Sequence, residues 1–291
     1  MNYTIKNENL TVAISDRGAE LQSIQTADGH EYLWQSDPVI WKDRAPNIFP
    51  YVARMTEGKY TLQGKEYKMD IHGFVKDLVL EVEAQQENEI TFCLSSSEQT
   101  KEQYPFDFTY RMTYRLEQNR LLLNTTVENK GEHSMYFGFG GHPGFNVPME
   151  EGLTFEDYTL TFDQKAQPYR VGFNESCFIT GQDEVYPLTD GDKIALRHDM
   201  FDEDAVVLKH MARKVCLGSE KGKRSVTVSY PDFPILGIWH RPKTEAAYVC
   251  IEPWSSLPSR AGIVEELSQQ ADLIHLAAGN TYSNSWSIEI N

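Results

Sequence analysis

A chain of 291 residues with 40% hydrophobic and 12% aromatic side chains can bury a full core, which excludes an intrinsically disordered protein. Its formal net charge of −16 repels nucleic-acid phosphates and anionic membrane surfaces, so neither is an expected partner and a neutral small molecule fits better. A phosphorylated ligand is disfavoured only weakly, because a local arginine cluster binds phosphate on a protein that is acidic overall.

Strand signals recur along the chain. Runs at Thr11 to Ile14, Tyr60 to Leu62, Tyr67 to Met69 beyond a turn at Gly64, Leu78 to Val82 and Ile90 to Leu94 are rich in β-branched and aromatic residues. Short turns are expected near Ser97 to Tyr104. Phe108, Tyr110, Met112, Tyr114 and Leu116 then alternate with polar residues and share one face of a long strand. The polar segment Glu117 to Arg120 reads as a hairpin into Leu121, Leu123, Thr125 and Val127. Further strands are expected at Ala205 to Leu208, Val226 to Tyr230, Ile235 to Trp239, Ala247 to Ile251 and Trp286 to Ile290, with Gly, Pro, Asn and Asp between them. Helical periodicity is scarce, its best run being Ala261 to Gln270. Many strands with few helices argue for an all-β chain, a large antiparallel β-sandwich. No repeat or linker divides it, so residues 1–291 are expected to form one domain.

The N-terminus lacks a signal-peptide pattern, and no apolar run is long enough to span a bilayer. Cys93, Cys177, Cys216 and Cys250 are far apart with no CxxC pair. A cytoplasmic protein with reduced thiols is the expectation. There is no HExxH, GxSxG, GxxxxGK[ST] or GxGxxG in a βαβ setting, so neither metal nor any other cofactor is expected.

Four segments interrupt the strand pattern with costly groups: Asn47 to Arg54, Asp70 to Phe74, Gly138 to Phe145 and Val249 to Trp254. In the third, glycines permit close approach by a ligand and Pro143 biases His142 toward extended backbone. Glu252 ends an apolar run and precedes Pro253 and Trp254, so it faces a partly dry pocket or an ion pair with Arg54 or Arg241. His72 and His142 each have the alternative of a locally bonded loop histidine, and Arg54 that of a surface ion pair. Trp34, Trp41, Trp239 and Trp254 either stack on a ligand or belong to the core.

Taken in order, the arginine after Phe49-Pro50, the His72-Gly73-Phe74 histidine, the His142-Pro143 histidine and the glutamate before Pro253-Trp254 resemble the aldose 1-epimerase (galactose mutarotase-like) family. The resemblance extends in particular to its bacterial branch of proteins like those encoded beside lactose genes. Leu276 to Asn280 is similar to the family's closing turn. The resemblance covers nearly the whole chain. It implies a β-supersandwich that binds one monosaccharide, with Arg54 and His72 positioning the sugar, His142 as general acid, Glu252 as general base and Asp204 on a sugar hydroxyl. Asp202 competes for that last role, and Asp77 is a candidate to orient His72 or Arg54. Ala53, Lys76 and Ala278 stand where the family usually has glycine, arginine and proline. The implied protein is a monomer or homodimer. Rival readings are a hexose-6-phosphate epimerase using Arg54, Lys76 and Arg241, a sugar-binding protein without turnover, and a glycoside hydrolase or lyase pairing Glu252 with Asp204.

Overall fold

The computed structural model describes residues 1–291 and is 45% strand and 8% helix. Two large antiparallel sheets dominate. The first has nine strands, in the order Lys193–Ala195, Thr159–Phe162, Lys214–Gly218, Ser225–Ser229, Thr281–Ile290, Arg120–Asn129, Phe108–Glu117, Glu89–Ser95 and Glu81–Gln85. The second runs from Glu184–Val185 through Tyr169–Arg170, Val206–Lys209, Ile235–Trp239, Tyr248–Trp254 and Gly140–Gly141 to Asn47–Ile48, with Gly144–Asn146 also paired to Tyr248–Trp254. A three-stranded sheet from residues 2–26 and two hairpin-sized sheets complete the β-sandwich.

The long hairpin forms as its pattern predicts, with Arg120 opposite Glu117 and a two-residue turn at Gln118 and Asn119. Its inward residues join a core that includes Leu236, Ile238, Val249 and Ile251 of the second sheet and extends from Ile5 to Ile290. Both ends of the chain therefore share one core. The strand Tyr248–Trp254 is buried throughout because it is covered on both faces. Val249 and Ile251 enter the inter-sheet core, while Cys250, Glu252 and Trp254 alternate onto the opposite face. That opposite face carries the site.

Three local expectations are corrected. Residues 261–270 form no α-helix: Gly262 turns with φ +71°, the Arg260 side chain and backbone both bind the Glu265 carboxylate, and the Glu265 carbonyl accepts from Thr61 N–H at 2.8 Å. These bonds dock the segment on the hairpin Lys59–Leu62 and Lys65–Lys68, leaving only a 3₁₀ turn at Leu267–Gln269. The strand expected at Leu78 to Val82 begins instead at Glu81, because Leu78 and Leu80 bond the backbone of Gly18 and Asp16. Around Ser97 to Tyr104 the chain makes a true helix, Glu98–Gln103, started by reciprocal capping between Ser97 and Thr100.

Candidate active site

The register of the second sheet places the central pair. Gly140 lies opposite Trp254 and Gly144 opposite Cys250, so the intervening turn carries His142 across from Glu252. His142 Nε2 is 3.1 Å from Glu252 Oε2. The crossing requires small residues: a Cβ on Gly141 would lie 2.5 Å from Trp286 Cζ2, and one on Gly140 2.5 Å from the Pro253 carbonyl. The rings of Trp41, Trp239 and His72 surround His142 with centroids 5.2, 5.5 and 5.3 Å away.

His72 arrives from a different segment. Its N–H donates to the Ala53 carbonyl at 2.9 Å, and its Nδ1 accepts from Ala53 N–H at 3.2 Å, which leaves the proton of the neutral ring on Nε2. Both residues adopt left-handed backbone, with φ +55° at Ala53 and +63° at His72. The first is the position where the family usually has glycine, and the backbone angle supplies the reason.

Arg54, His72, His142, Asp204 and Glu252 line one cavity of about 560 Å³. Trp41, Trp239 and Trp254 line it too, whereas Trp34 packs on Tyr248 and donates to the Trp41 carbonyl, supporting the wall from behind. Lys76, Arg241, Asp43 and Glu203 also reach the cavity, which gives it mixed charge. Arg54 is exposed with no carboxylate ion-paired to it, so neither a surface ion pair nor a bond to Glu252 holds it. Asp202 lies outside this cavity. Asp77 pairs with Lys76 and Arg17 rather than with His72 or Arg54, because its short 3₁₀ turn aims it away from the cavity.

Sequence reasoning missed Phe173 and Cys177, which lie in an irregular segment with no periodic signal. Cys177 Sγ donates to Asp204 Oδ2 at 3.0 Å, while Asp204 Oδ1 accepts from Ala205 N–H at 3.0 Å. Each carboxylate oxygen thus has one fixed donor. Burial, with Asp204 beside it, pushes the Cys177 thiol up to about 11, so it stays a neutral donor at physiological pH.

Burial dominates the electrostatics of the central pair. Burial holds His142 down to about 4, and burial followed by repulsion from Asp204 raises Glu252 well above the carboxylate range. Burial penalises the charged form of each group, which drives the pair toward a neutral imidazole beside a protonated carboxyl. Glu252 Oε1 and Oε2, His142 Nδ1 and Trp254 Nε1 are buried without a hydrogen-bond partner, the ion-pair contact itself lying outside hydrogen-bonding alignment. Such groups are costly unless a polar ligand meets them. His142, Cys250 and Glu252 also bring one ligand atom each within 4.8 Å of one another, but burial pushes the Cys250 thiol far up, against the thiolate a metal requires.

Fold and cavity together describe a β-sandwich with a protonatable pair at the base of a pocket on one sheet face. The chain belongs to the aldose 1-epimerase family, whose model matches residues 1–288. It is 31% identical over its whole length to the chromosomal protein LacX of Lactococcus lactis subsp. lactis, 99% of which is covered. Among solved structures it resembles a galactose mutarotase related enzyme from Lactobacillus acidophilus at TM-score 0.95 and 36% identity, covering 100% of this chain and 97% of that one. A galactose mutarotase-like protein from Lactobacillus casei gives TM-score 0.95 and 32% identity with both chains fully covered. The family and all-β fold expected from the sequence are therefore met.

Proposed function

We propose that this chain interconverts the α and β anomers of a free hexose, with His142 as general acid, Glu252 as general base, Arg54 and His72 positioning the sugar, and Asp204 accepting a sugar hydroxyl proton. The observation that carries the reading is the buried pair in contact at 3.1 Å, with no hydrogen bond to either Glu252 oxygen, opening on the cavity that holds the other three.

Opening a hemiacetal removes the proton from the C1 hydroxyl and adds one to the ring oxygen. Both oxygens are bonded to C1, so an acid and a base lying side by side can serve them. After the C1–C2 bond rotates, the ring closes on the other face with the roles exchanged. Burial favours the resting proton on Glu252, so one direction begins with Glu252 giving and His142 taking, and the return direction runs with His142 as acid and Glu252 as base.

Protonating the pair a second time is opposed until pH falls toward the depressed His142 value of about 4, and losing the last proton is opposed well above the ordinary carboxylate range. The plot of kcat/KM against pH is therefore expected to be bell-shaped, with an acid limb displaced below the ordinary histidine range and a basic limb displaced above the ordinary carboxylate range. A single limb centred on the pKa of an ordinary histidine would contradict the assignment. Loss of the Cys177 thiol should loosen Asp204: Cys177→Ala is expected to raise KM several-fold with kcat little changed, and Cys177→Ser to restore it. Steady-state mutarotation kinetics on the two variants read this split.

Arg54 and Arg241, both exposed and without ion-paired carboxylates, favour a second reading in which the hexose carries a phosphate. Against it stand the carboxylates of Asp43, Glu203 and Asp204 in the same cavity and the pairing of Lys76 with Asp77. Mutarotation of galactose and glucose compared with their 6-phosphates decides between them. Faster turnover of the free sugars is expected, and a preference for the phosphates would reverse the proposal.

A further inference from the structure

Two histidines that the proposed chemistry does not use face each other behind the cavity wall. His240 is fully buried and lies between Trp239 and Arg241, both of which line the cavity. Backbone alternation at the end of the strand Ile235–Trp239 sends its ring the other way, into the protein. There His240 Nδ1 lies 2.8 Å from the Arg241 carbonyl oxygen, and its Nε2 lies 3.0 Å from His198 Nδ1.

These partners fix both protons. A carbonyl only accepts, so His240 carries its hydrogen on Nδ1 and presents the Nε2 lone pair, to which His198 donates from its own Nδ1. Burial holds His240 down to about 4, so that lone pair stays unprotonated at neutral pH. The rings are clamped as well: Phe155 stacks on His198 with centroids 4.1 Å apart, and Phe201 packs on His240 at 4.3 Å.

The bond joins two walls of the cavity. His198 opens the 3₁₀ turn His198–Phe201, whose last carbonyl accepts from Asp204 N–H at 2.9 Å, and Asp204 itself sits in left-handed backbone at φ +83°. Such a conformation persists only where its surroundings hold it. On the other side, the Arg241 carbonyl also accepts from the Thr244 hydroxyl at 2.7 Å, and Arg241 N–H donates to the Tyr248 hydroxyl at 3.1 Å. Tyr248 in turn stacks on Trp41 with centroids 5.2 Å apart, and Trp41 and Trp239 are two of the rings packed on His142.

We infer that the hydrogen bond from His198 to His240 is a clasp that positions Asp204 on one wall of the cavity against Trp239 and Arg241 on the other, which makes the two histidines positioning residues for the sugar. Neither ring lines the cavity. The inference rests on the anomer-interconverting reading and adds to it the device that holds the pocket's walls in register.

The test uses the half-buried His198 rather than the fully buried His240. His198→Phe keeps a ring on Phe155 and removes the donor, whereas His198→Asn carries an amide nitrogen the same number of bonds from the backbone as Nδ1 and keeps it. Mutarotation of galactose and glucose should show KM raised about fivefold in the Phe variant with kcat within about twofold, the order of one lost hydrogen bond, and KM in the Asn variant within about twofold of wild type. Long-range proton–nitrogen correlation spectra of the wild type at about pH 8, above the ordinary histidine range, should show both rings as Nδ1–H tautomers, a readout that needs no variant to fold. An equal rise in KM in both variants, no rise in the Phe variant, or a hydrogen on His240 Nε2 would overturn the clasp, while mutarotation by the wild type left the first reading standing. A wild type that accelerates neither sugar would remove the first reading, and this inference with it.

Discussion

Glu252→Gln is expected to lower the rate of anomer exchange by roughly a hundred- to ten-thousandfold, the contribution of a positioned general base. Gln keeps the shape of the side chain and removes only its ability to take a proton, so KM for the sugar should change far less than kcat. His142→Asn should fall by a similar factor. The double variant should be little worse than either single one, since two groups passing one proton act as a unit. Stability should move differently. The folded pKa of Glu252 is raised, so its ionisation costs folding free energy as pH rises through the unfolded value toward the folded one. Gln carries no such cost, and Glu252→Gln is expected to melt no lower than the wild type at neutral pH. Thermal denaturation monitored beside the kinetics separates lost chemistry from lost fold; a variant that melts far lower would remove the support for a catalytic role.

The second large effect is structural. Gly73 has φ +69°, and a Cβ there would lie 2.1 Å from the Phe49 carbonyl oxygen and 2.6 Å from Pro50 N. Phe49 and Gly73 form a parallel bridge, with Phe74 N–H donating to the same carbonyl at 3.0 Å. That bridge holds the two segments that deliver His72 and Arg54 to the cavity. Gly73→Ala combines backbone strain with a collision against backbone that cannot rotate away, and is expected to cost about 3 kcal/mol or more. Chemical denaturation should show the loss as a lower midpoint. An unchanged midpoint would mean that the segments are not locked as described.

Much of this was readable from the chain because the two kinds of signal are local. Period-two alternation from Phe108 to Val127 reports burial on one face of a hairpin, and the hairpin forms in that register. The four interrupted segments stand out because glycine, proline and charged residues are costly in strands, and all four deliver residues to one cavity. Ala261 to Gln270 misled for the converse reason. Its spacing suits a helix, but the bonds from Glu265 to Arg260 and Thr61 are tertiary and override local preference. The contact between His142 and Glu252 follows from a pairing register that no local pattern prints. Phe173 and Cys177 were silent because irregular chain has no period, and only the fold brings Cys177 to Asp204. The shifts of His142 and Glu252 likewise come from tertiary burial, with Trp41 and Trp239 packed on the His142 ring and Asp204 brought near Glu252 only by the fold.

The most direct measurement is exchange between the α and β anomeric proton signals of galactose at equilibrium, followed by two-dimensional NMR with and without catalytic amounts of the protein. Cross-peaks between the anomers that grow with wild-type protein and vanish with Glu252→Gln are the predicted result. Exchange no faster than in buffer, for galactose and glucose alike, would contradict the claim that this chain interconverts the anomers of free hexoses.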